Sequence, residues 1–304
     1  MSTIDASLLR AAAAAAAGHQ SHPGATLYLV ATPIGNRADI TLRALHVLQR
    51  VDRVACEDTR VTAQLLAGYG IDKPLLALHA HNENEAAERV CRHLAAGEAV
   101  AFVSDAGTPG VSDPGARLVA AAVAGGHRVV PLPGPSSALA ALMVAGDAVG
   151  TGFRFRGFLP ARGAERDAAL QALADDATTQ VLFEAPHRIE AMLSALAARM
   201  PQRTVTLARE LTKQFEAVVT RPAAELPAWL AADEQRRRGE FVLVLHAMPE
   251  VDRADALDPA AERCLAVLMR ELPLRQAVAL AAEISGAPRN ALYQRALQRR
   301  DDAG

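Results

Sequence analysis

Five short apolar runs in the first half of the chain, residues 26–31, 51–56, 75–78, 100–103 and 128–132, are each followed by a stretch with helical patterning. The first, Thr26-Leu-Tyr-Leu-Val-Ala31, is apolar almost without interruption, so it reads as a strand buried on both faces. Strands recurring at this spacing with helices between them specify an α/β fold, a parallel sheet covered by helices on both sides. The same constraint says where function should sit. In open parallel sheets ligands bind beyond the carboxyl ends of the strands. Here those ends carry Thr32-Pro-Ile-Gly-Asn36, Glu57-Asp-Thr-Arg60, His79-Ala-His-Asn82, the run from Ser104 to Gly115, and Pro133-Gly-Pro-Ser-Ser137. Two clusters also carry helix-start signals: Asn82 with Glu85 forms a capping-box pattern, and Asp113-Pro114 pairs an N-cap with a first-turn proline.

The pattern changes near residues 152–160, where Phe153-Arg-Phe-Arg-Gly-Phe-Leu-Pro160 is extended and punctuated by Gly and Pro. A second α/β stretch follows, with strands expected at 180–184, 205–208 and 241–246 and helices near 164–174, 188–199 and 222–233. After a polar gap at 249–258 the rest reads as helical, and Ser285-Gly-Ala-Pro288 separates two short helices in the manner of a helix-turn-helix. The expected division is a mobile N-terminal tail over 1–25, an α/β domain over 26–152, a second over 153–248, and a small basic helical domain over 259–304. With 304 residues, 51% of them apolar, the chain is long enough for two cores. No apolar run approaches the ~18 residues that cross a bilayer, so a soluble protein is expected. Three scattered cysteines without CxxC spacing argue against a disulfide framework and point to a reducing cytosol. The net charge of −2 supplies no general attraction for nucleic acid. Basic character is local: between Arg263 and Arg300 there are seven arginines against Glu271 and Glu283.

Several familiar chemistries lack their patterns. GxGxxG does not follow the first strand, GxxxxGK[ST] is missing, and so is a GxSxG elbow. His79 and His81 have no third ligand at metal-site spacing, so no metal is expected. Arg236-Arg-Arg-Gly239 reads equally as a phosphate contact and as a solvated turn. What remains is a pair of glycine-bearing loops, with Gly107, Gly110, Gly115 and Gly134, where backbone can approach a ligand closely.

These loops resemble a known family. Leu29-Val-Ala-Thr-Pro-Ile-Gly-Asn-Arg-Ala-Asp-Ile-Thr41 is similar to the opening signature of the tetrapyrrole-methylase superfamily, the class III S-adenosylmethionine methyltransferases. Its ribosomal-RNA branch is resembled by Cys56-Glu-Asp-Thr-Arg60, Val103-Ser-Asp-Ala-Gly-Thr-Pro109, Ser112-Asp-Pro-Gly115, Pro131-Leu-Pro-Gly-Pro135, Gly157-Phe-Leu-Pro160, Phe183-Glu-Ala-Pro-His-Arg188 and Ala208-Arg-Glu-Leu-Thr-Lys213. The resemblance runs from Thr26 to the C-terminus and leaves out the alanine-rich start. It implies two αβα domains with mainly parallel sheets, S-adenosylmethionine in the cleft between them, and a homodimer. It also implies methylation of a ribose 2′-hydroxyl on a decoding-centre cytidine of 16S rRNA in the small ribosomal subunit, and hence a cytoplasmic enzyme. Carried over by position, the cofactor residues are Pro33, Asp105, Ala106, Gly107, Thr108, Val111, Ser136 and Ser137, with Phe183, Glu184 and Ala208 from the second domain. Corrin-forming relatives usually have Gly-Gly-Asp-Pro where this chain has Ala-Gly-Thr-Pro109, which weighs against a tetrapyrrole substrate.

A sulfonium methyl is already activated, so the protein must align it with the attacking oxygen and help remove a proton from a poorly acidic hydroxyl. Asp58, His81 and Glu210 are the candidate bases. Arg60, Arg188 and Lys213 are candidates for substrate phosphates, and Asn36 and Asn82 for the sugar or base. Two alternatives stand beside this reading: a small-molecule tetrapyrrole or corrin methyltransferase, and a non-catalytic RNA-binding assembly factor.

Overall fold

The computed structural model describes residues 5–79, 81–249 and 257–301. Its first sheet contains β1 (Thr26–Val30), β2 (Arg53–Cys56), β3 (Leu75–Ala77), β4 (Val100–Val103) and β5 (Arg128–Leu132), in the order β3-β2-β4-β1-β5. All four pairings are parallel. α2 (Leu42–Arg50) and α3 (Thr59–Gly68) contribute to an apolar cluster with Tyr28, Val30, Val54 and Val103. On the other face α4 (Glu83–Ala95) and α5 (Ala116–Ala124) pack on Leu27, Ala55, Val100 and Phe102. Alternate residues of one strand thus feed opposite clusters, as a sheet covered on both faces requires.

Residues 5–25 differ from the mobile tail expected over 1–25. Ala6–Ala17 form a helix, α1, packed on α2, with Ala13 and Ala17 buried and Ala13 inside the first cluster. Asp5 caps it and Arg10 donates to the Gly70 carbonyl at 2.8 Å. Alanine has the highest helix propensity, and its small side chain lets two helices approach closely, so the tract that looked featureless is a packing surface. Residues 1–4 lie outside the described residues.

The second sheet is mixed. β6 (Phe153–Phe158) runs parallel to β7 (Thr179–Glu184), but β10 (Phe241–Leu245) is antiparallel to β7 and to β8 (Thr204–Arg209), and β9 (Ala217–Pro222) is antiparallel to β8. Over both sheets parallel pairing predominates. β9 is an edge strand with no counterpart in the sequence reading, and the helix expected over 222–233 shortens to α9 (Leu226–Ala231) after a 3₁₀ turn. One face of this sheet packs on α7 (Gly163–Asp175), α8 (Ile189–Arg199) and α9. The other is covered by α6 (Ser137–Ala145), which leaves β5 of the first sheet and lays Ala138, Ala141 and Ala145 against Val181, Ala208, Val242 and Val244. That cluster, with Ile34, joins the two halves.

A polar brace closes the far end of α6. Asp147 accepts hydrogen bonds from the Thr179 hydroxyl at 2.6 Å and from the Ala247 and Gly150 amides at 2.8 and 3.1 Å. The C-terminal helices α10 (Pro259–Glu271), α11 (Leu274–Ser285) and α12 (Arg289–Asp301) form their own core from Ala261, Leu265, Val278, Ala281, Leu292 and Ala296. Most of the polar gap expected at 249–258 lies outside the described residues. No helix among the described residues is long and apolar enough to cross a membrane.

Removing the brace with Asp147→Ala leaves four donors, the Val149 amide among them, without their acceptor, and urea unfolding should show a loss of about 1–3 kcal/mol near neutral pH. Burial alone would raise the Asp147 carboxyl, but the hydrogen bonds from Thr179, Ala247 and Gly150 hold it below the usual range. The stabilisation is therefore present above about pH 4, and the gap between wild type and variant should close as pH falls further.

Candidate active site

Three loops at the carboxyl ends of β1, β4 and β5 are tied into one platform. Thr32 and Gly107 exchange two backbone hydrogen bonds, at 2.9 and 3.0 Å, and the Thr32 hydroxyl donates to the Ser104 carbonyl at 3.1 Å. Gly107 needs its hydrogen side chain: its φ of +81° lies in the left-handed region. The Thr108 hydroxyl donates to the Pro135 carbonyl at 2.9 Å, joining the second loop to the third. The Asp58 amide donates to Asp105 Oδ1 at 3.0 Å, which brings in the end of β2.

Over this platform lies a cleft of about 340 Å³ between the two halves. Its lining takes Glu57, Asp105, Ala106, Gly107, Thr108, Val111, Ser112, Asp113, Ser136 and Ser137 from the first half, and Phe158, Phe183 and Glu240 from the second. Four of these are carboxylates, and no lysine, arginine or histidine is among them. Burial, reinforced by Glu57 and Asp105, pushes the Asp113 carboxyl up to about 6. Burial and then Asp105 raise Glu57 as well. A cleft of ligand size with acidic walls and no internal cation suits a positively charged guest.

Eight of the eleven cofactor residues expected from sequence line this cleft: Asp105, Ala106, Gly107, Thr108, Val111, Ser136, Ser137 and Phe183. Three do not. Pro33 is buried within the first loop. Ala208 is buried in the apolar cluster beneath α6. Glu184 alternates with Phe183 along β7 and is buried, ion-paired at 2.9 Å with Arg188 Nε. Arg188 also donates to the Leu159 carbonyl at 2.7 Å, so this pair fixes the ends of β6 and β7 to each other and leaves Arg188 little freedom for phosphate.

None of the three candidate bases is among the lining residues. Asp58 caps α3 and grips Arg60 at 2.7 Å, and the Arg60 side chain and amide hold its carboxyl down at about 2. His81 is exposed, its ring 6.1 Å from that of His79. Glu210 holds Lys213 Nζ at 2.9 Å and accepts from the Glu240 amide; although burial opposes it, these contacts keep its carboxyl below the usual range. Lys213 is further paired with Glu240 at 3.1 Å, and its aliphatic stem lies against Gly35 of the first loop. Asn36 Oδ1 accepts from the Ala38 amide. Asn82 accepts from the His79 amide and donates to the Ala77 carbonyl, so its side chain closes the turn after β3 and does not cap α4. Arg236 stacks over Trp229 and donates to its carbonyl, which favours the structural reading of that arginine run.

Sequence reasoning missed Glu57, Ser112, Asp113, Phe158 and Glu240 as lining residues. Asp113-Pro114 carries a helix-cap signal, yet α5 starts after Gly115, whose amide donates to Glu83 Oε1 at 2.9 Å. That external cap leaves Asp113 for the cleft. Glu240 precedes β10, and because β10 is antiparallel its start, not its end, reaches the site: Phe241 pairs with Glu184 at the end of β7.

Residues 26–227 match the family of Tetrapyrrole (Corrin/Porphyrin) Methylases. The chain belongs to the tetrapyrrole methylase family. Residues 255–300 match a second description, the RsmI C-terminal HTH domain. The chain is 49% identical over 274 residues to a Ribosomal RNA small subunit methyltransferase I of Xylella fastidiosa, covering 90% of this chain and 99% of that protein. It is likewise 49% identical over 276 residues to the protein of the same name from Escherichia coli O157:H7, covering 90% and 94%. Among solved structures, the Thermus thermophilus uroporphyrin-III C-methyltransferase complexed with S-adenosylhomocysteine aligns with a TM-score of 0.52 at 21% identity, covering 72% of this chain and 96% of that one. Diphthine synthase aligns at 0.56 and 16% identity, covering 73% and 90%. As a member of this family the chain is a methyltransferase that uses S-adenosylmethionine. The acidic, cation-free lining fits that donor, which carries positive charge at its sulfonium and ammonium groups.

Holding an ionised Asp113 in this cleft opposes folding at neutral pH. The native state keeps the proton that the unfolded chain releases near pH 4, so wild-type stability should fall as pH rises from about 4 to about 6. Asp113→Asn should remove this slope and gain about 1–2 kcal/mol at pH 7.5 after solvent screening, read by urea unfolding at several pH values.

Proposed function

We propose that the chain methylates the ribose 2′-hydroxyl of a decoding-centre cytidine in 16S rRNA, acting in the cytoplasm on the small ribosomal subunit. The observation that carries this reading is that similarity to ribosomal RNA methyltransferases at about half identity is continuous through both α/β halves and the C-terminal helices. The tetrapyrrole methylase match, by contrast, ends at residue 227. The donor supplies an activated methyl when bound. The platform loops hold it, with Asp105, Gly107, Thr108, Ser136 and Ser137 as its contacts, and the second half closes over it through Phe183.

Asp113 is the proton acceptor in this reading. It lies in the cleft, and burial pushes its carboxyl up to about 6, closer to the working pH of a general base, which is worth about 10²–10⁴-fold. Asp58 and Glu210, held low by their cationic partners, are weaker bases. Arg60, whose side chain is 89% exposed, and Lys213 at the rim serve the substrate's phosphates. In the C-terminal unit Arg295 and Arg299 are spent on Glu262, but Arg263, Arg270, Arg275 and Arg289 are exposed and have no ion pair among the described residues. These four are the contact with ribosomal RNA. In this reading the homodimer forms through the outward face of α6, which exposes Leu139, Met143 (85% exposed) and Val144.

The test uses labelled S-adenosylmethionine with small subunits from cells lacking this activity, followed by mass mapping of the rRNA. Label on one cytidine ribose supports the reading; label on a tetrapyrrole instead, or no transfer at all, overturns it. Asp113→Asn should lower turnover about 10²–10⁴-fold with donor affinity kept. In wild type, turnover should rise with pH below about 6 and then level off. Deleting residues after 258 should weaken subunit binding and leave donor binding intact, and Met143→Glu should shift sedimentation from dimer to monomer.

A further inference from the structure

β6 reads Phe153-Arg-Phe-Arg-Gly-Phe158. In a regular strand Phe155 and Phe158 would point to opposite faces. The pairing with β7 shifts between Phe155 and Gly157: Phe155 lies beside Val181, Gly157 beside Leu182, and Phe158 beside Phe183. Arg156 is thus an extra residue, a bulge, and it returns Phe158 to the face that carries Phe155 and Phe183. The rings confirm it. Phe183 meets Phe155 edge-on with centroids 5.0 Å apart, and Phe158 at 5.6 Å. The bulge depends on glycine: Gly157 has φ of +61°, and a Cβ there would stand 3.0 Å from the Ser112 hydroxyl.

The result is costly unless used. Phe158 lines the cleft, yet it remains 55% exposed. Phe155 and Phe183, by contrast, pack against the apolar cluster under α6. A half-exposed aromatic ring in a reaction cleft is the usual means of holding an unstacked nucleobase, because every base offers a π-face. Phe158 shares the cleft with Asp113, and Ser112 lies next to the bulge glycine. A nucleotide offering its ribose to Asp113 has its base one glycosidic bond away, within the same cleft.

We propose that Phe158 is the stacking platform for the nucleobase of the target nucleotide, which must be turned out of its helix to reach the methyl donor. This rests on the RNA reading above. Phe158→Ala should lower kcat/KM for small subunits about 5- to 100-fold, mainly through KM, while calorimetry with S-adenosylhomocysteine shows Kd within about twofold of wild type. Phe158→Trp should restore kcat/KM, since the requirement is a flat ring. If donor affinity falls and the subunit KM does not change, the ring serves the donor's adenine and the proposal fails. It also fails if Phe158→Ala equals wild type, or if Trp does not rescue. A wild-type chain that transfers nothing to subunits overturns the RNA reading itself, an outcome distinct from an active wild type matched by its Phe158→Ala variant.

Discussion

The seating of α6 on the second sheet is the interaction on which the site depends. Without it the chain has a parallel αβα layer with polar loops facing water, and a mixed sheet with one apolar face uncovered. With Ala138, Ala141 and Ala145 pressed on Val181, Ala208, Val242 and Val244, the loop ends of the first half face the ends of β6 and β7 and the start of β10 across a gap of ligand size. Small side chains allow close approach, and the interior tolerates little change in volume. α6 is apolar around most of its circumference because it has two jobs: one side fills this seam, and the other presents Leu139 and Met143 outward.

Electrostatics explains why such a cleft is acidic. Burial first, and then the neighbouring carboxylates, raise the proton affinity of Asp113 and Glu57, and this costs stability at neutral pH. The cations nearby are held elsewhere: Lys213 between Glu210 and Glu240, Arg60 on Asp58, Arg188 on buried Glu184. The protein has thus separated its positive charges, at the rim and in structural braces, from the negative interior. The interior is thereby suited to a sulfonium donor, and the positive side chains stay outside it.

The first half was legible in sequence because continuous apolar runs and strand-end loops in a parallel sheet obey simple rules, and the eight lining residues named in advance come almost wholly from those loops. The second half was less so. Antiparallel β10 brings its leading end to the site, which a rule about carboxyl ends cannot anticipate. The bulge at Arg156 reverses the face of Phe158, and alternation alone does not reveal an inserted residue. Asp113 carries a strong cap signal that lost to a tertiary contact, Glu83 having taken the Gly115 and Arg117 amides. Glu184 shows the converse: it belongs to a recognisable motif, but its work is to anchor the strand ends.

The α1 helix changes what counts as the folding unit. Family similarity begins at β1, yet Ala13 is enclosed in the same apolar cluster as Tyr28, Leu45 and Leu48, and Arg10 is tied to the Gly70 carbonyl that ends α3's turn. Trimming the chain to its shared region would therefore uncover part of α2 to water and leave the His46 ring without that of His22, which it meets at 5.0 Å. What relatives have in common is shorter than what this polypeptide must keep to stay whole.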